Sequence, residues 1–194
     1  GRLDEEKLAK ICDEKTKVLS ISWVQALNGM VTDLQMCSEF CQTHDIVFVV
    51  DAIQGLGVLP IDVKKVHIDF LVSGFFKWLL GPDGIAFVYI NQEILGWAGM
   101  KNKFDYTTYK FDLLLEARRY ETGNMNFSGI FGARQGVEII LEHQEEIGEK
   151  VQNLTQYLRD AVQKLDGAEV LSPAEGEMAG ITLIGCRDSK QKYE

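Results

Sequence analysis

A chain of 194 residues with 46% apolar and 25% charged residues has the composition of a globular protein with one sizeable core. Its formal net charge of −9 argues against a nucleic-acid surface, because phosphate backbones select basic patches. No apolar run is long enough to cross a membrane, and the first residues form no export signal. We therefore expect a cytoplasmic protein with reduced thiols.

The first part of the chain alternates between predicted helices and strands. An amphipathic helix is predicted over 3–12, a buried strand over 17–23, and a helix over 32–43 that begins at a threonine cap. The apolar run 46–50 is rich in β-branched residues and leads directly into Asp51. Such a run is typical of a parallel strand that is covered on both faces.

The second part contains two close strands and a long helix. The strands predicted over 70–73 and 84–90 are joined by a link too short for a helical crossover, so we expect them to pair antiparallel. Apolar residues then recur at intervals of three, four and seven over 128–165, which predicts a long helix with a bend near Gly148. A short strand over 181–184 follows. This order predicts an α/β fold with a mostly parallel sheet flanked by helices.

Two segments place an ionisable residue just beyond an apolar strand. Asp51 ends the run 46–50, and Lys77 follows the strand 70–73. In sheets of this type, ligands lie beyond the carboxyl ends of the strands. A carboxylate there is poorly solvated and needs a donor or a cation, and a partly desolvated lysine has the character of an amine nucleophile.

Each of these residues also has an ordinary interpretation. Asp51 alone is most often a turn or helix cap, and Lys77 alone is most often a solvated surface lysine. The glycines Gly55 and Gly57 suggest a dinucleotide turn, but Pro60 stands where the third glycine is required. The cap interpretation of Asp51 loses weight because Gln54 and Lys77 are in register with it. The surface interpretation of Lys77 loses weight because the lysine lies between an apolar strand and a further apolar run.

A possible metal face lies in the predicted helix 32–43 and just after it. Cys37, Cys41 and His44 fall at positions i, i+4 and i+7. The sequence offers no evident fourth ligand, and cysteine is a common core residue. Core packing is therefore the favoured interpretation, and no metal site is predicted.

Three elements of the sequence occur in a fixed order. They are Asp-Ala-Ile-Gln at 51–54, an Asp-Phe strand leading to Lys77 and Gly-Pro at 69–82, and Arg-Tyr-Glu-Thr-Gly-Asn at 119–124. Together they resemble the class V aminotransferase and cysteine desulfurase family, which depends on pyridoxal phosphate (PLP) and has the type I fold of PLP enzymes. The resemblance extends over nearly the whole chain.

The resemblance implies roles for five residues in binding PLP. Lys77 would form the Schiff base with the cofactor and then move a proton between the substrate α-carbon and the cofactor. Asp51 would keep the pyridine nitrogen protonated, so that the ring withdraws electrons. Gln54 would donate to the phenolic oxygen. Ser73 and the backbone of Gly74 would help to hold the phosphate.

Further roles implied by the resemblance are less closely matched. Asn124 would reach the phosphate of the neighbouring subunit in a homodimer. Phe76 stands directly before the lysine, where the family commonly has histidine, and Ser73 lies four residues before the lysine rather than three. In the loop after the first strand, Gln25 or Asn28 would lie near the substrate.

The implied activity is PLP chemistry at the α-amino group of an amino acid, with transamination as the leading expectation. A cysteine desulfurase or selenocysteine lyase is the main alternative and is consistent with Gln54. That chemistry needs a mobile cysteine, which Cys186 does not match. An epimerase is also open.

The sequence also lacks two parts that the family contains, an N-terminal phosphate-binding loop and a C-terminal domain with a substrate-binding arginine. We therefore interpret residues 1–166 as the central part of a PLP-binding large domain and residues 167–194 as the truncated start of a small domain. A different possibility follows, namely a truncated chain that is not an enzyme by itself. The isolated chain is expected to bind PLP poorly and to show no turnover.

Overall fold

A computed structural model of the chain describes residues 3–91, 102–105, 107, 110–113, 116, 120, 123–174, 176 and 178–187. No helix within these residues has the length and apolar character needed to cross a membrane. The elements in chain order are α1 (Glu5–Ile11), β1 (Val18–Ser22), α2 (Leu34–Thr43), β2 (Val47–Asp51), β3 (Phe70–Gly74), β4 (Ala86–Ile90), β5 (Asn102–Asp105), β6 (Lys110–Leu113), α3 (Phe127–Val162), β7 (Ala168–Val170) and β8 (Ile184–Cys186).

The main sheet has four strands in the order β1-β2-β3-β4. β2 pairs in parallel with both β1 and β3, whereas β4 pairs antiparallel with β3. This arrangement confirms the predicted α/β fold with a mostly parallel sheet. β4 is antiparallel because the link 75–85 turns the chain back without a crossover. Two antiparallel pairs, β5 with β6 and β7 with β8, lie outside this sheet.

One face of the main sheet is buried and the other is only partly covered. Phe48 and Val50 point to the buried face and are fully inaccessible, because α1 and α2 contribute to the same core. On the opposite face, Val18 is 49% exposed, Val72 37% and Val88 41%. The side chains of β2 itself alternate between buried and half-buried. Among the described residues, the expectation that β2 is covered on both faces is therefore met on one face only.

The start of α2 differs from the prediction. The helix is capped by Asp33, whose carboxylate accepts a hydrogen bond from the Met36 amide at 3.0 Å. Thr32 is not the cap, because its hydroxyl donates to the Ser22 carbonyl at 3.0 Å. The threonine therefore joins the loop before α2 to the end of β1.

The later part of the chain also departs from the prediction in detail. α3 bends at His143, where φ is −123° and ψ is 17°, and not near Gly148. A Cβ atom on Gly148 would lie 3.1 Å from the Val58 carbonyl oxygen. The glycine therefore allows α3 to approach the segment between β2 and β3 closely. The last strand begins at Ile184 instead of 181. The boundary near residue 166 between two domains remains a prediction.

The two cysteines of α2 pack as core residues. Cys37 and Cys41 are 0% and 1% exposed, and the His44 ring stacks on Phe40 with 4.1 Å between centroids. Burial raises the pKa of Cys37 to about 11, with a smaller contribution from Asp33, and raises the pKa of Cys41 to about 12. Among the described residues, no three His, Cys, Asp or Glu side chains are placed to hold a metal ion.

These buried thiols predict a loss of stability at high pH. In the unfolded chain they lose their protons near the ordinary pKa of 9.0, whereas the folded chain keeps them protonated to about 11 and about 12. The resulting stability is fully present below the unfolded pKa and is lost as the pH rises towards the folded pKa. Each thiol should steepen this loss by about 1.4 kcal/mol per pH unit.

Urea denaturation of the wild type and of Cys41→Ala across this alkaline range measures the effect. The variant should show the shallower pH dependence, because only one of the two core thiols remains. Cys186→Ala is the matched control, since that thiol is exposed. Equal pH slopes for the wild type and Cys41→Ala would contradict the prediction.

Candidate functional site

The carboxyl ends of β2 and β3 meet at one edge of the main sheet. Asp51 is in register with Val72, and the amide of Ala52 donates to the Val72 carbonyl at 2.9 Å. On the other side, the Trp23 amide donates to the Asp51 carbonyl at 2.9 Å. The position of Asp51 is therefore fixed by both neighbouring strands.

The carboxylate of Asp51 is only partly engaged. Its Oδ1 accepts a hydrogen bond from the Ile53 amide at 3.0 Å, as in an ordinary turn cap. Its Oδ2 accepts no hydrogen bond from any residue that the structure describes. One oxygen thus shapes the turn after β2, and the other is available to a donor.

Asp51 lines an open pocket of about 410 Å³ at this edge. The lining residues are Asp51, Ile53, Val72, Ser73, Gly74, Phe76, Gly84, Ile85 and Ala86. Most of them are apolar, and Asp51 is the charged group among them. A flat apolar ligand with one cationic or donor atom matches this lining. The structure therefore brings together three of the predicted cofactor residues, namely Asp51, Ser73 and Gly74.

The Ser73 side chain is less open to a ligand than the sequence suggests. The residue is 4% exposed, and its hydroxyl donates to the Gly74 carbonyl at 3.1 Å. Ser73 is also in register with Phe87, on the buried side of the sheet. The hydroxyl is thus engaged with its own chain neighbour.

Lys77 lies in a turn that returns the chain from β3 to β4. Three backbone hydrogen bonds close the turn. The Phe75 amide donates to the Ile85 carbonyl at 3.1 Å, the Gly81 amide to the Phe75 carbonyl at 2.7 Å, and the Leu80 amide to the Lys77 carbonyl at 3.1 Å. Leu80 adopts a positive φ of 56°, which is uncommon for a residue with a branched side chain. These contacts give the lysine a defined backbone position.

α3 lies directly against this lysine turn. A Cβ atom on Gly136 would lie 2.4 Å from the Leu79 carbonyl oxygen, and one on Gly81 would lie 3.3 Å from the Ala133 Cα. Leu79 itself is 5% exposed. The small residues of α3 therefore allow helix and turn to touch through their backbones.

The Lys77 ammonium lies beside a side chain that lines the pocket. Its Nζ lies 5.8 Å from the centroid of the Phe76 ring, and Phe76 lines the pocket. Lys77 itself is not one of the lining residues. From the sequence, Phe76 stood out only as a departure from the family, so its place in the site was missed. The available signal was its position beside the lysine, just beyond a strand.

Two other predicted cofactor residues do not line the Asp51 pocket. Gln54 is partly buried in the turn that follows β2. Asn124 lines a separate pocket of about 610 Å³, which also contains Phe75 and Arg134. The two pockets share the stretch 84–86 at the start of β4. Within one chain, the structure does not bring Asn124 to Asp51.

The two candidate substrate residues lie in a closed loop after β1. The Asn28 side chain accepts a hydrogen bond from the Met30 amide at 3.1 Å. The backbone of Gln25 forms hydrogen bonds with the backbone of Met30 and Gly29. The Gln25 side chain has no hydrogen-bond partner among the described residues. Asn28 thus shapes the loop, and Gln25 is the freer of the two.

The aspartate of the Asp-Phe element has a structural place at the opposite edge of the sheet. Asp69 accepts a hydrogen bond from the Phe48 amide at 2.8 Å and lies 3.3 Å from His67 Nε2. It therefore holds the start of β2, far along the strand from Asp51. Of the third element, residues 119, 121 and 122 lie outside the described residues.

The chain has recognisable relatives. The sequence model of class V aminotransferases matches residues 1–192. The uncharacterized aminotransferase YcbU of Bacillus subtilis is 30% identical over 148 residues, which cover 72% of this chain and 39% of that protein. A probable cysteine desulfurase of Borreliella burgdorferi is 29% identical over 188 residues, covering 88% and 43%. The cysteine desulfurase structure from Thermococcus onnurineus has a TM-score of 0.82 and 24% identity, over 94% of this chain and 47% of that one, and shares its fold.

The chain spans less than half the length of these relatives. The resemblance seen in the three sequence elements is confirmed for both family and fold. Because the match covers almost every residue, the chain belongs to the class V aminotransferase family.

Proposed function

We propose that this chain carries the PLP site of an enzyme that acts on the α-amino group of an amino acid, with transamination as the leading activity. The observation that carries the proposal is the pocket at the carboxyl ends of β2 and β3, which contains a carboxylate and has a lysine beside one of its lining residues. Asp51 lines the pocket, and the Lys77 ammonium lies beside Phe76 of the same pocket. Membership of a family that depends on PLP supports the choice of cofactor.

The residues of the pocket fit the ring and the aldehyde of PLP. The open Oδ2 of Asp51 matches a protonated pyridine nitrogen, and a charged acceptor makes that hydrogen bond a strong one. Ile53 and Val72 provide apolar surface for the ring. Lys77, which does not line the pocket but lies beside Phe76, would provide the amine. The phosphate fits less directly, because the Ser73 hydroxyl must first turn away from the Gly74 carbonyl.

When bound, PLP supplies an electron sink that stabilises negative charge on the substrate α-carbon. Asp51 would keep the proton on the ring nitrogen through its own negative charge. The apolar walls would exclude water and so strengthen that interaction. Lys77, in its fixed turn, would hold the proton that is removed from the α-carbon and return it.

A homodimer is part of the same proposal. Asn124 lies in the separate pocket at the start of α3, which suits a residue that serves the partner's site. Two large apolar side chains of α3 near that pocket, Phe127 and Phe131, are 65% and 68% exposed. Sedimentation equilibrium of the chain measures this association.

A cysteine desulfurase is the second candidate, because a relative with that name covers 88% of the chain. Cys186, the exposed thiol, is held in the ladder of β7 and β8 opposite Ala168. Desulfuration requires a mobile thiol, so this cysteine does not support the alternative. With the whole protein, sulfide released from cysteine indicates a desulfurase, and keto acids formed from a panel of amino acids indicate a transaminase.

Covalent trapping tests the site directly. The chain is incubated with PLP, and borohydride then reduces the C=N bond between any lysine and the cofactor to a stable C–N bond. Mass spectrometry identifies the modified peptides. We expect Lys77 to be labelled well above Lys65, whose side chain is 83% exposed. Deoxypyridoxine phosphate, which lacks the aldehyde, should reduce labelling of Lys77 and leave Lys65 unchanged. Preferential labelling of another lysine would overturn the proposal. The isolated chain should show no turnover in the same buffer.

A further inference from the structure

Phe76 lines the pocket of one of the two groups on which the site depends and contacts the other. Its ring lines the pocket that contains the Asp51 carboxylate, and the Lys77 Nζ lies over the same ring at 5.8 Å from the centroid. This distance is within the range in which an ammonium group is attracted to an aromatic face. Phe76 is therefore a side chain that both lines the pocket and contacts the Lys77 ammonium.

The ring is held in place from the strand side. A Cβ atom on Gly74 would lie 2.7 Å from Cε1 of Phe76, and 3.4 Å from Cδ1 of Ile53. Phe76 thus lies across the bare backbone of Gly74, beside Ile53. A side chain at Gly74 would displace the ring, so the glycine and the aromatic residue fit each other.

Burial does not account for this arrangement. Phe76 is 47% exposed, although a phenylalanine in an ordinary core position is almost inaccessible. The exposed part of the ring is available to the lysine and to the pocket. Lysine has a long side chain with much rotamer freedom, and an aromatic contact selects among its conformations.

We propose that Phe76 is a positioning residue, whose ring holds the Lys77 amine at the mouth of the Asp51 pocket. The contact itself follows from the geometry of the chain. Its consequence for the cofactor rests on the proposed function, since the amine must be near the aldehyde carbon of a ligand that Asp51 orients.

The contact is tested first without PLP. Reductive methylation with ¹³C-formaldehyde leaves each lysine as a charged dimethylammonium group with an observable methyl resonance, and Lys77→Arg identifies the signal of Lys77. The ring should shift this resonance upfield in the wild type and in Phe76→Tyr, which keeps the aromatic face. In Phe76→Leu the resonance should return to the position of exposed lysines.

The control is Phe75→Leu, the same substitution one residue earlier. The Phe75 ring contacts Phe87, with 5.4 Å between centroids, and should leave the Lys77 resonance in place. Phe76→Met repeats the comparison should Phe76→Leu fail to fold. A Lys77 resonance that does not move in a folded Phe76→Leu or Phe76→Met chain overturns the inference.

The second measurement is the ratio of PLP labelling at Lys77 to that at Lys65. We expect Phe76→Leu to lower this ratio about 2- to 5-fold and Phe76→Tyr to retain it. If PLP does not label Lys77 in preference to Lys65 in the wild type, the proposed function is wrong. The methyl resonance alone then tests whether Phe76 positions the Lys77 amine. A normal preference in the wild type that persists in Phe76→Leu overturns the positioning role and leaves the proposed function intact.

Discussion

An Asp51→Asn chain is expected to keep its fold and to lose PLP-directed labelling of Lys77 by about 10- to 100-fold. Asparagine retains the Oδ1 that accepts the Ile53 amide at 3.0 Å, so the turn after β2 keeps its hydrogen bond. The free energy of unfolding should change by no more than about 0.5 kcal/mol. What the variant loses is the negative charge, and a hydrogen bond between charged partners contributes about 1.5–3 kcal/mol. Labelling at a series of PLP concentrations measures the loss.

Asp69→Asn provides the matched control, because it makes the same substitution at the opposite edge of the sheet. Asp69 accepts from the Phe48 amide and faces His67, and its side chain is 13% exposed. This variant should lower stability and leave the labelling ratio of the folded chain unchanged. Should Asp69→Asn reduce Lys77 labelling as much as Asp51→Asn does, the charge of Asp51 has no specific role.

The architecture follows from sequence patterns because those patterns report burial and chain reversal. The apolar run before Asp51 has the composition of a strand in a parallel sheet, and the structure has β2 there, paired in parallel on both sides. The short link after β3 excludes a crossover, and β4 is antiparallel. Because β2 and β3 run in the same direction, their carboxyl ends meet. The proximity of Asp51 to the segment of Lys77 could therefore be predicted from order alone.

Details set by tertiary contacts were not predictable in the same way. Thr32 and Asp33 are both good helix caps. Which of them caps α2 depends on the Ser22 carbonyl, a group ten residues away that takes the threonine hydroxyl. The bend of α3 at His143 likewise has no marker in the sequence, whereas Gly148 marks a close approach to another segment.

The side chains of the site show the same limit. Ser73 ends the predicted strand 70–73 and was expected to help to hold the phosphate, but it pairs with Phe87 on the buried side of the sheet. The face on which a strand presents each side chain depends on its register with the neighbouring strands, which is set across the sheet and not within the strand alone. The place of Phe76 depends on the absence of a side chain at Gly74, three-dimensional information that residue spacing does not contain.

A Gly136→Ala chain is expected to be less stable than the wild type by about 2–3 kcal/mol. The added Cβ would lie 2.4 Å from the Leu79 carbonyl oxygen and 2.9 Å from Leu80, and these are backbone atoms that cannot rotate away. Alanine otherwise favours a helix over glycine by about 1 kcal/mol. A net loss therefore requires that the contact between α3 and the lysine turn outweighs helix propensity. Urea denaturation measures the change.

Gly132→Ala separates the two effects, because it makes the same substitution one turn earlier in the same helix. Among the residues that the structure describes, its Cβ would meet only the side chain of Pro82, at 3.3 Å. We expect the free energy of unfolding of this variant to be unchanged or to rise by up to about 1 kcal/mol. A gain in both variants would mean that α3 can move off the lysine turn at little cost. A loss confined to Gly136→Ala, together with weaker PLP labelling of Lys77, would show that the position of the lysine depends on a helix remote from it in sequence.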